Sequence, residues 1–205
     1  GVVARECGLT QKMADDVIEG FALDTAGWQP RHETDLYRYC FHVAGAVGVM
    51  MAMVMGVSPD DGETLDRACD LGMAFQLANI ARDIAEDGHA GRCYIPDDWL
   101  AQLDLEPGEH LRPHNRKKLA LIGRWLADEA GQYEASARVG AAYSGSGAAS
   151  SPAGGGTGTG ATFSSCAPAW PASSANATHA ALARPASRLR LVTAKENVIS
   201  TVMLT

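Results

Sequence analysis

Apolar residues recur every three or four positions through most of residues 10–140, the spacing of one face of an α-helix. Residues 10–27 (TQKMADDVIEGFALDTAG) predict a helix with Thr10 as its N-cap and Gly27 just past its end. Pro30 fixes a loop, WQPRHE. A second helix is predicted from Thr34, read as its N-cap, with Asp35 at the positive end of the dipole. It runs on through residues 43–57, VAGAVGVMMAMVMGV, which are apolar nearly all round. The turn cluster SPDDG follows. Residues 63–88 form the next helix, closed by Gly88, and HAGRCYIP leads as a loop into the short helix DDWLAQLDL. Pro107-Gly108 breaks the chain again before a long amphipathic stretch at residues 114–140. No alternating strand pattern competes, so the fold class expected for residues 1–140 is all-α.

From residue 141 the pattern stops. AAYSGSGAASSPAGGGTGTGATFSSCAPAWPASSANATHA is rich in Ala, Gly, Ser, Thr and Pro, nearly uncharged, and without apolar periodicity. Such a segment buries too little surface to offset its ordering entropy, and residues 141–205 are expected to be a disordered tail.

Composition narrows the function. A length of 205 residues fits one domain, and a net charge of -7 with a pI near 5.3 argues against nucleic acid as a partner. The five cysteines show no CxxC or ligand-like spacing, as expected of free thiols in a reducing compartment. The chain opens without an initiator Met or a signal pattern, so a cytoplasmic location is expected and the start reads as mid-protein. The 43–57 run falls short of the ~20 residues a bilayer needs and is read as a buried helix.

The third helix carries the candidate chemistry. Side chains at i, i+4 and i+8 follow one slanting stripe, and Asn79, Asp83 and Asp87 have that spacing. Gln76 lies in the same sector, and Arg82 flanks it beside Glu86. Two carboxylates and an amide oxygen make a row of hard oxygen donors of the kind Mg²⁺ accepts, and a neighbouring Arg suits phosphate oxygens. A solvated face would read similarly, but it would favour Glu/Lys pairs at i, i+4. Here like charges repel, and Asn and Asp are poor mid-helix residues. Local cost without local gain marks a site. On the second helix, small residues at 44, 45, 46 and 48 serve either close helix packing or room for a ligand, and packing is the commoner use. His42 is read as a core residue.

Three motifs in order, YCFHVAGAVG (39–48), LGMAFQLANIARDIAED (71–87) and GRCYIP (91–96), together with EGFALD (19–24), resemble the squalene/phytoene synthase family of all-α isoprenoid synthases. The resemblance covers residues 10–140 and is nearest to the family's bacterial phytoene-forming members. It implies an isoprenoid-synthase-type helical bundle and Mg²⁺-dependent (alternatively Mn²⁺-dependent) prenyl transfer. The implied reaction condenses two geranylgeranyl diphosphates head-to-head, through a cyclopropyl diphosphate (prephytoene diphosphate), to phytoene, a step of carotenoid synthesis. Peripheral membrane association for product release goes with it. Carried over by position, Asn79, Asp83 and Asp87 match metal ligands of an aspartate-rich motif, and Arg82 a diphosphate contact. Gln76 matches a polar residue at the reacting allyl end, and Tyr39 a tyrosine near the reaction centre. Val43, Ala44, Val47 and Gly48 match cavity lining, and Tyr94 an aromatic that helps close the site.

The family pattern also has a first aspartate-rich motif on an earlier helix, which is not found here; Asp15-Asp16-Val17-Ile18-Glu19 stands too close to EGFALD to be it. The chain is therefore expected to carry one side of the metal site and to be inactive alone, and the change at residue 141 is expected to be a reading-frame artefact. Two other readings stay open: a non-catalytic remnant that binds prenyl diphosphate or a partner, and a squalene- or dehydrosqualene-type synthase.

Overall fold

The computed structural model describes residues 1–139, and the expected tail at 141–205 lies outside them. Seven α-helices follow in order: α1 (Val2–Glu6), α2 (Gln11–Thr25), α3 (Glu33–Cys40), α4 (Ala46–Val54), α5 (Gly62–His89), α6 (Asp97–Gln102) and α7 (Arg116–Val139). A π-helical turn, Phe41–Gly45, joins α3 to α4, and two 3₁₀ turns precede α7. No strand occurs among the described residues.

α5 is the central element. Leu65, Cys69, Met73, Leu77, Ile80 and Ile84 are all buried on it at helical spacing. They form one stripe of apolar surface, the dominant source of helix stability in a packed domain. Along α7, Leu121, Ile122, Trp125, Leu126, Ala130 and Tyr133 bury the matching face, and Trp99 of α6 meets Trp125 edge-on at 5.7 Å. On its other side α5 meets the π turn and α4 backbone to backbone. A Cβ on Gly48 would overlap the Ala68 carbonyl, one on Gly72 would overlap the Ala44 carbonyl, and one on Gly45 would lie 3.0 Å from Cys69 Sγ. The apolar helix Glu33–Val54 is long enough to cross a membrane by length and composition. Leu36, Tyr39, Cys40, Ala46, Val49, Ala52 and Met53 are nonetheless buried in the core, as expected of a core helix.

Two helix ends differ from the sequence expectation. α3 starts one residue before Thr34, with His32 as its N-cap; Asp35 accepts from the backbone N–H of His32 at 3.2 Å and of Arg31 at 3.1 Å. Asp35 thus ties off the entering chain instead of merely sitting in the dipole's field. Gly88 does not end α5. It lies inside the helix, where Leu111 packs against it and a Cβ would stand 2.5 Å from Leu111 Cδ1. The stop is Gly91, at φ +77°, where the left-handed backbone lets Arg92 N–H reach the Asp87 carbonyl at 2.8 Å and Gly91 N–H reach Gly88 at 3.1 Å. At α2 the expectation matches: Thr10 Oγ1 accepts from Met13 N–H at 3.4 Å, and Gly27 has φ +63°.

The loop after α2 is fastened to the start of α6. Asp97 N–H donates to the Pro30 carbonyl at 3.1 Å, Asp98 N–H to Arg31 at 3.2 Å, and Gln29 Nε2 to Asp97 Oδ1 at 2.6 Å. These bonds bring the loop at residues 90–96 over the C-terminal end of α2.

Candidate active site

The row read from the sequence stands on α5 as one partly exposed stripe. Asn79, Asp83 and Asp87 are each half-buried, as is Gln76. Leu71 and Phe75 lie on the same i, i+4 line toward the N-terminus, 57% and 67% exposed. A single strip of helix surface is therefore apolar along one half and acidic along the other.

Both carboxylates are held by arginines. Arg82 Nε and Nη2 donate to the two oxygens of Asp83 at 2.7 and 2.6 Å. Those bonds keep the Asp83 carboxyl below the usual carboxylate range and push the Arg82 guanidinium up. Arg92 Nε and Nη2 both reach Asp87 Oδ1, at 3.1 and 2.9 Å. Arg92 comes from the loop after the helix, and the left-handed stop at Gly91 returns it toward the helix.

Beyond Arg92 lies an aromatic stack. Tyr39 is buried between Trp28 and Tyr94, with ring centroids 5.4 and 5.0 Å away and near-parallel planes. Asp24, the last residue of EGFALD, accepts from both tyrosines: Tyr39 Oη at 3.1 Å and Tyr94 Oη at 2.9 Å. Burial first, then the neighbouring Tyr94 and Asp24, push the Tyr39 hydroxyl far above its ordinary range; burial likewise raises Tyr94. At neutral pH both are hydroxyl donors, so Tyr39 offers a hydrogen bond and does not serve as a phenolate base.

The structure thus joins Tyr39 and Tyr94 in one cluster and sets Asn79, Asp83 and Asp87 along one helix line. Other residues read as cavity lining fall at helix contacts. Ala44 and Gly48 abut α5, and Val43 Cγ1 lies 2.7 Å from where a Cβ on Gly20 of α2 would sit. Val47 is half-buried on α4. Three residues were missed from the sequence: Asp24, Trp28 and Arg92. Asp24 stood in a noted motif, but only the fold shows two hydroxyls converging on it. Arg92 likewise stood in a noted motif, GRCYIP, and the glycine before it was the available signal that the chain turns back there.

Carboxylates and an amide oxygen on one stripe are the donor types a hard divalent cation takes, so the residues fit Mg²⁺ by their chemistry.

The sequence matches the squalene/phytoene synthase family over residues 1–194. It is 51% identical over 140 residues to the 15-cis-phytoene synthase of Pantoea ananas, covering 68% of this chain and 45% of that protein. It is 49% identical over 140 residues to the 15-cis-phytoene synthase of a Paracoccus species, covering 68% and 44%. Among solved structures, a dehydrosqualene synthase with bound ligand superposes with a TM-score of 0.56 at 26% identity, over 63% of this chain and 45% of that one. Squalene synthase HpnC from Alicyclobacillus acidocaldarius gives a TM-score of 0.51 at 25% identity, over 64% and 52%. The chain spans about half the length of the curated relatives it matches. With its all-α architecture, it belongs to the squalene/phytoene synthase family and has the isoprenoid-synthase helical fold.

Proposed function

We propose that this chain carries one metal-binding helix, and part of the prenyl-binding wall, of a phytoene synthase. The whole protein would condense two geranylgeranyl diphosphates head-to-head, through prephytoene diphosphate, to phytoene. The observation that supports this most is the α5 stripe, exposed and apolar at Leu71 and Phe75, then polar at Asn79, Asp83 and Asp87. A prenyl diphosphate has that same division, a hydrocarbon chain ending in a multiply charged head.

Asn79, Asp83 and Asp87 would hold Mg²⁺, with Mn²⁺ as the substitute, and the ion would supply charge stabilisation to the departing diphosphate. Arg82 and Arg92 would exchange their carboxylate partners for phosphate oxygens. Tyr39, neutral, fixed by its stack and donating its proton to Asp24, would turn its hydroxyl oxygen toward the reaction centre, with Gln76 at the allyl end. Apolar surroundings would keep water from an allylic cation. A cytoplasmic enzyme with peripheral membrane contact for product release fits an apolar product.

The test uses the chain completed with the remaining helices of its relatives. Asp83→Asn should abolish phytoene formation from geranylgeranyl diphosphate while the far-ultraviolet circular dichroism stays helical. Retained product would sink the metal assignment. The likeness to a dehydrosqualene synthase favours one second reading, condensation of a shorter prenyl diphosphate; feeding farnesyl and geranylgeranyl diphosphates side by side separates the two. Residues 1–205 alone should make no phytoene in the same assay, and turnover by them would show that one row of ligands suffices.

A further inference from the structure

Away from the α5 row, two buried histidines, His42 and His110, each have an Nδ1 without a hydrogen bond, and among the described residues only at His42 do two carboxylates stand beside the ring. His42 stands in the π-helical turn, is 4% exposed, and its Nδ1 finds no hydrogen-bond partner. Two carboxylates of α2 converge on the ring. Asp16, itself buried, brings Oδ1 to 4.0 Å from Nδ1, and Glu19 brings Oε2 to 3.9 Å from Nε2. One ligand atom from each of the three side chains lies within 4.8 Å of the others. These separations are too long for hydrogen bonds, and a buried imidazole nitrogen without a partner costs stability. A third element of the geometry is Gly20. It lets α2 approach until its position for a Cβ is 3.1 Å from His42 Cβ, which brings the helix carrying both acids against the turn carrying the histidine. Single-turn π-helical bulges within α-helices are frequent at functional sites.

We propose that Asp16, Glu19 and His42 bind one divalent first-row transition-metal ion, Zn²⁺ in type, which pins α2 to the wide turn after α3. An imidazole with two carboxylates suits Zn²⁺ or its neighbours better than Mg²⁺, which takes oxygen donors and keeps its waters. Ligand atoms of a tetrahedral zinc site with bonds of about 2.0–2.2 Å stand roughly 3.3 Å apart. An ion takes a single ring nitrogen, and one ligand atom from each side chain lies within 4.8 Å of the other two, so gaps of up to 4.8 Å close by side-chain rotation. Glu19, 62% exposed, has the rotamer freedom to make the largest of these rotations. Lys12 Nζ also donates to both Asp16 oxygens, at 3.1 and 3.3 Å; its side chain is 58% exposed and can swing into solvent once the ion takes over the buried carboxylate's charge.

The placement gives the ion a role. α2 ends at Thr25, next to Asp24, and the π turn begins two residues after Tyr39. A cross-link between Asp16/Glu19 and His42 fixes the two segments whose ends meet in the Asp24–Tyr39 hydrogen bond. Asp16 lies eight residues from Asp24, about 12 Å along the helix. The site shares no residue with the α5 row and does not depend on the prenyl-transfer reading.

The experiment is calorimetric titration of the untagged, chelator-stripped 205-residue chain with ZnCl₂ in a large excess of MgCl₂. One equivalent of Zn²⁺ should bind. Glu19→Ala and His42→Ala should each weaken it by ~100-fold or more, as loss of one of three protein ligands does, whereas Asp83→Asn leaves it unchanged. His42→Ala removes a core side chain, so Glu19→Ala, at an exposed position, decides the matter. Zn²⁺ should also raise the melting temperature of the parent but not that of Glu19→Ala. Absence of Zn²⁺ uptake, uptake undiminished in Glu19→Ala, or a thiolate charge-transfer band on Co²⁺ substitution would each overturn the proposal.

Discussion

Arg92 and Asp87 are joined twice. The Arg92 backbone N–H donates to the Asp87 carbonyl at 2.8 Å, and its guanidinium donates to the Asp87 carboxylate through Nε at 3.1 Å and Nη2 at 2.9 Å. The first bond is the helix stop set by Gly91; the second places a cation beside a candidate metal ligand. The pair is solvent-exposed on the arginine side, with Arg92 55% exposed, so its contribution to stability is small. Arg92→Ala should therefore leave the melting temperature nearly unchanged while cutting product formation of the completed enzyme by ~10-fold or more, the scale on which a misplaced charged group costs rate. Gly91→Ala, at φ +77°, should lower both, since an L side chain in that backbone region costs ~1 kcal/mol or more. Equal losses of activity and melting temperature in Arg92→Ala would reduce it to a structural residue.

Two helical glycines should respond oppositely to alanine. At Gly72 a Cβ meets the Ala44 backbone carbonyl, whereas at Gly131 of α7 nothing lies within 4 Å. Gly131→Ala should raise stability by about 0.5–1 kcal/mol through helix propensity alone. Gly72→Ala has the same gain available, but overpacking a backbone contact costs about 1–3 kcal/mol, so the net change is a loss. Urea unfolding of both variants checks the sign. A stabilised Gly72→Ala would mean that α4 and α5 are not held in backbone contact.

The difference between those glycines explains what the sequence could and could not reveal. Helix periodicity, the Thr10 cap and the Asn79/Asp83/Asp87 stripe are properties of a few consecutive turns, and each is visible without the fold. Gly88 and Gly91 look alike in a sequence; only Leu111, brought back from more than twenty positions away, shows that Gly88 is a contact and Gly91 the stop. Asp24 was hidden for the same reason. Its two tyrosine partners are 15 and 70 residues distant, and long-range convergence leaves no local pattern. His42 looked like an ordinary core residue because its burial followed from its neighbours, whereas its unpaired Nδ1 did not.

The start of α5 carries a titratable cap. Asp61 accepts from Thr64 N–H at 3.1 Å; the Thr64 side chain first, then that N–H, with Arg67 nearby, hold its carboxyl below the ordinary range. A folded-state pKa below the unfolded one means stabilisation that is present above the unfolded value, about 4, and is lost as pH falls through the folded value. Asp61→Ala should thus lower the melting temperature at pH 7, and the gap to the parent should shrink as the pH falls through that window. Asp61→Asn, which still accepts from the helix N–H, should behave like the parent at pH 7 and lose the pH dependence. A gap that is constant with pH would remove the carboxylate from the argument.

Asp24 should matter more to Tyr39 and Tyr94 than either tyrosine hydroxyl matters to Asp24. Each hydroxyl donates one bond to a half-buried carboxylate, and removing a single such donor, as in Tyr39→Phe or Tyr94→Phe, should cost about 0.5–1.5 kcal/mol. The carboxylate then still keeps its other donor. Asp24→Ala instead removes the acceptor of two hydroxyls at once, one of them on a ring that is 3% exposed and stacked on both faces. Its cost should exceed either tyrosine variant and be largely recovered in Asp24→Ala combined with both Tyr→Phe changes, because no donor is then left unpaired. Spectrophotometric titration supplies the second readout. Burial is the main cause of the raised Tyr39 hydroxyl, so without Asp24 its ionisation should stay above the ordinary range. Denaturant unfolding of the five chains would show non-additivity if Asp24 is the shared acceptor. Strictly additive losses would mean that the two hydroxyls are satisfied independently, and the cluster would then be an aromatic stack with a carboxylate beside it.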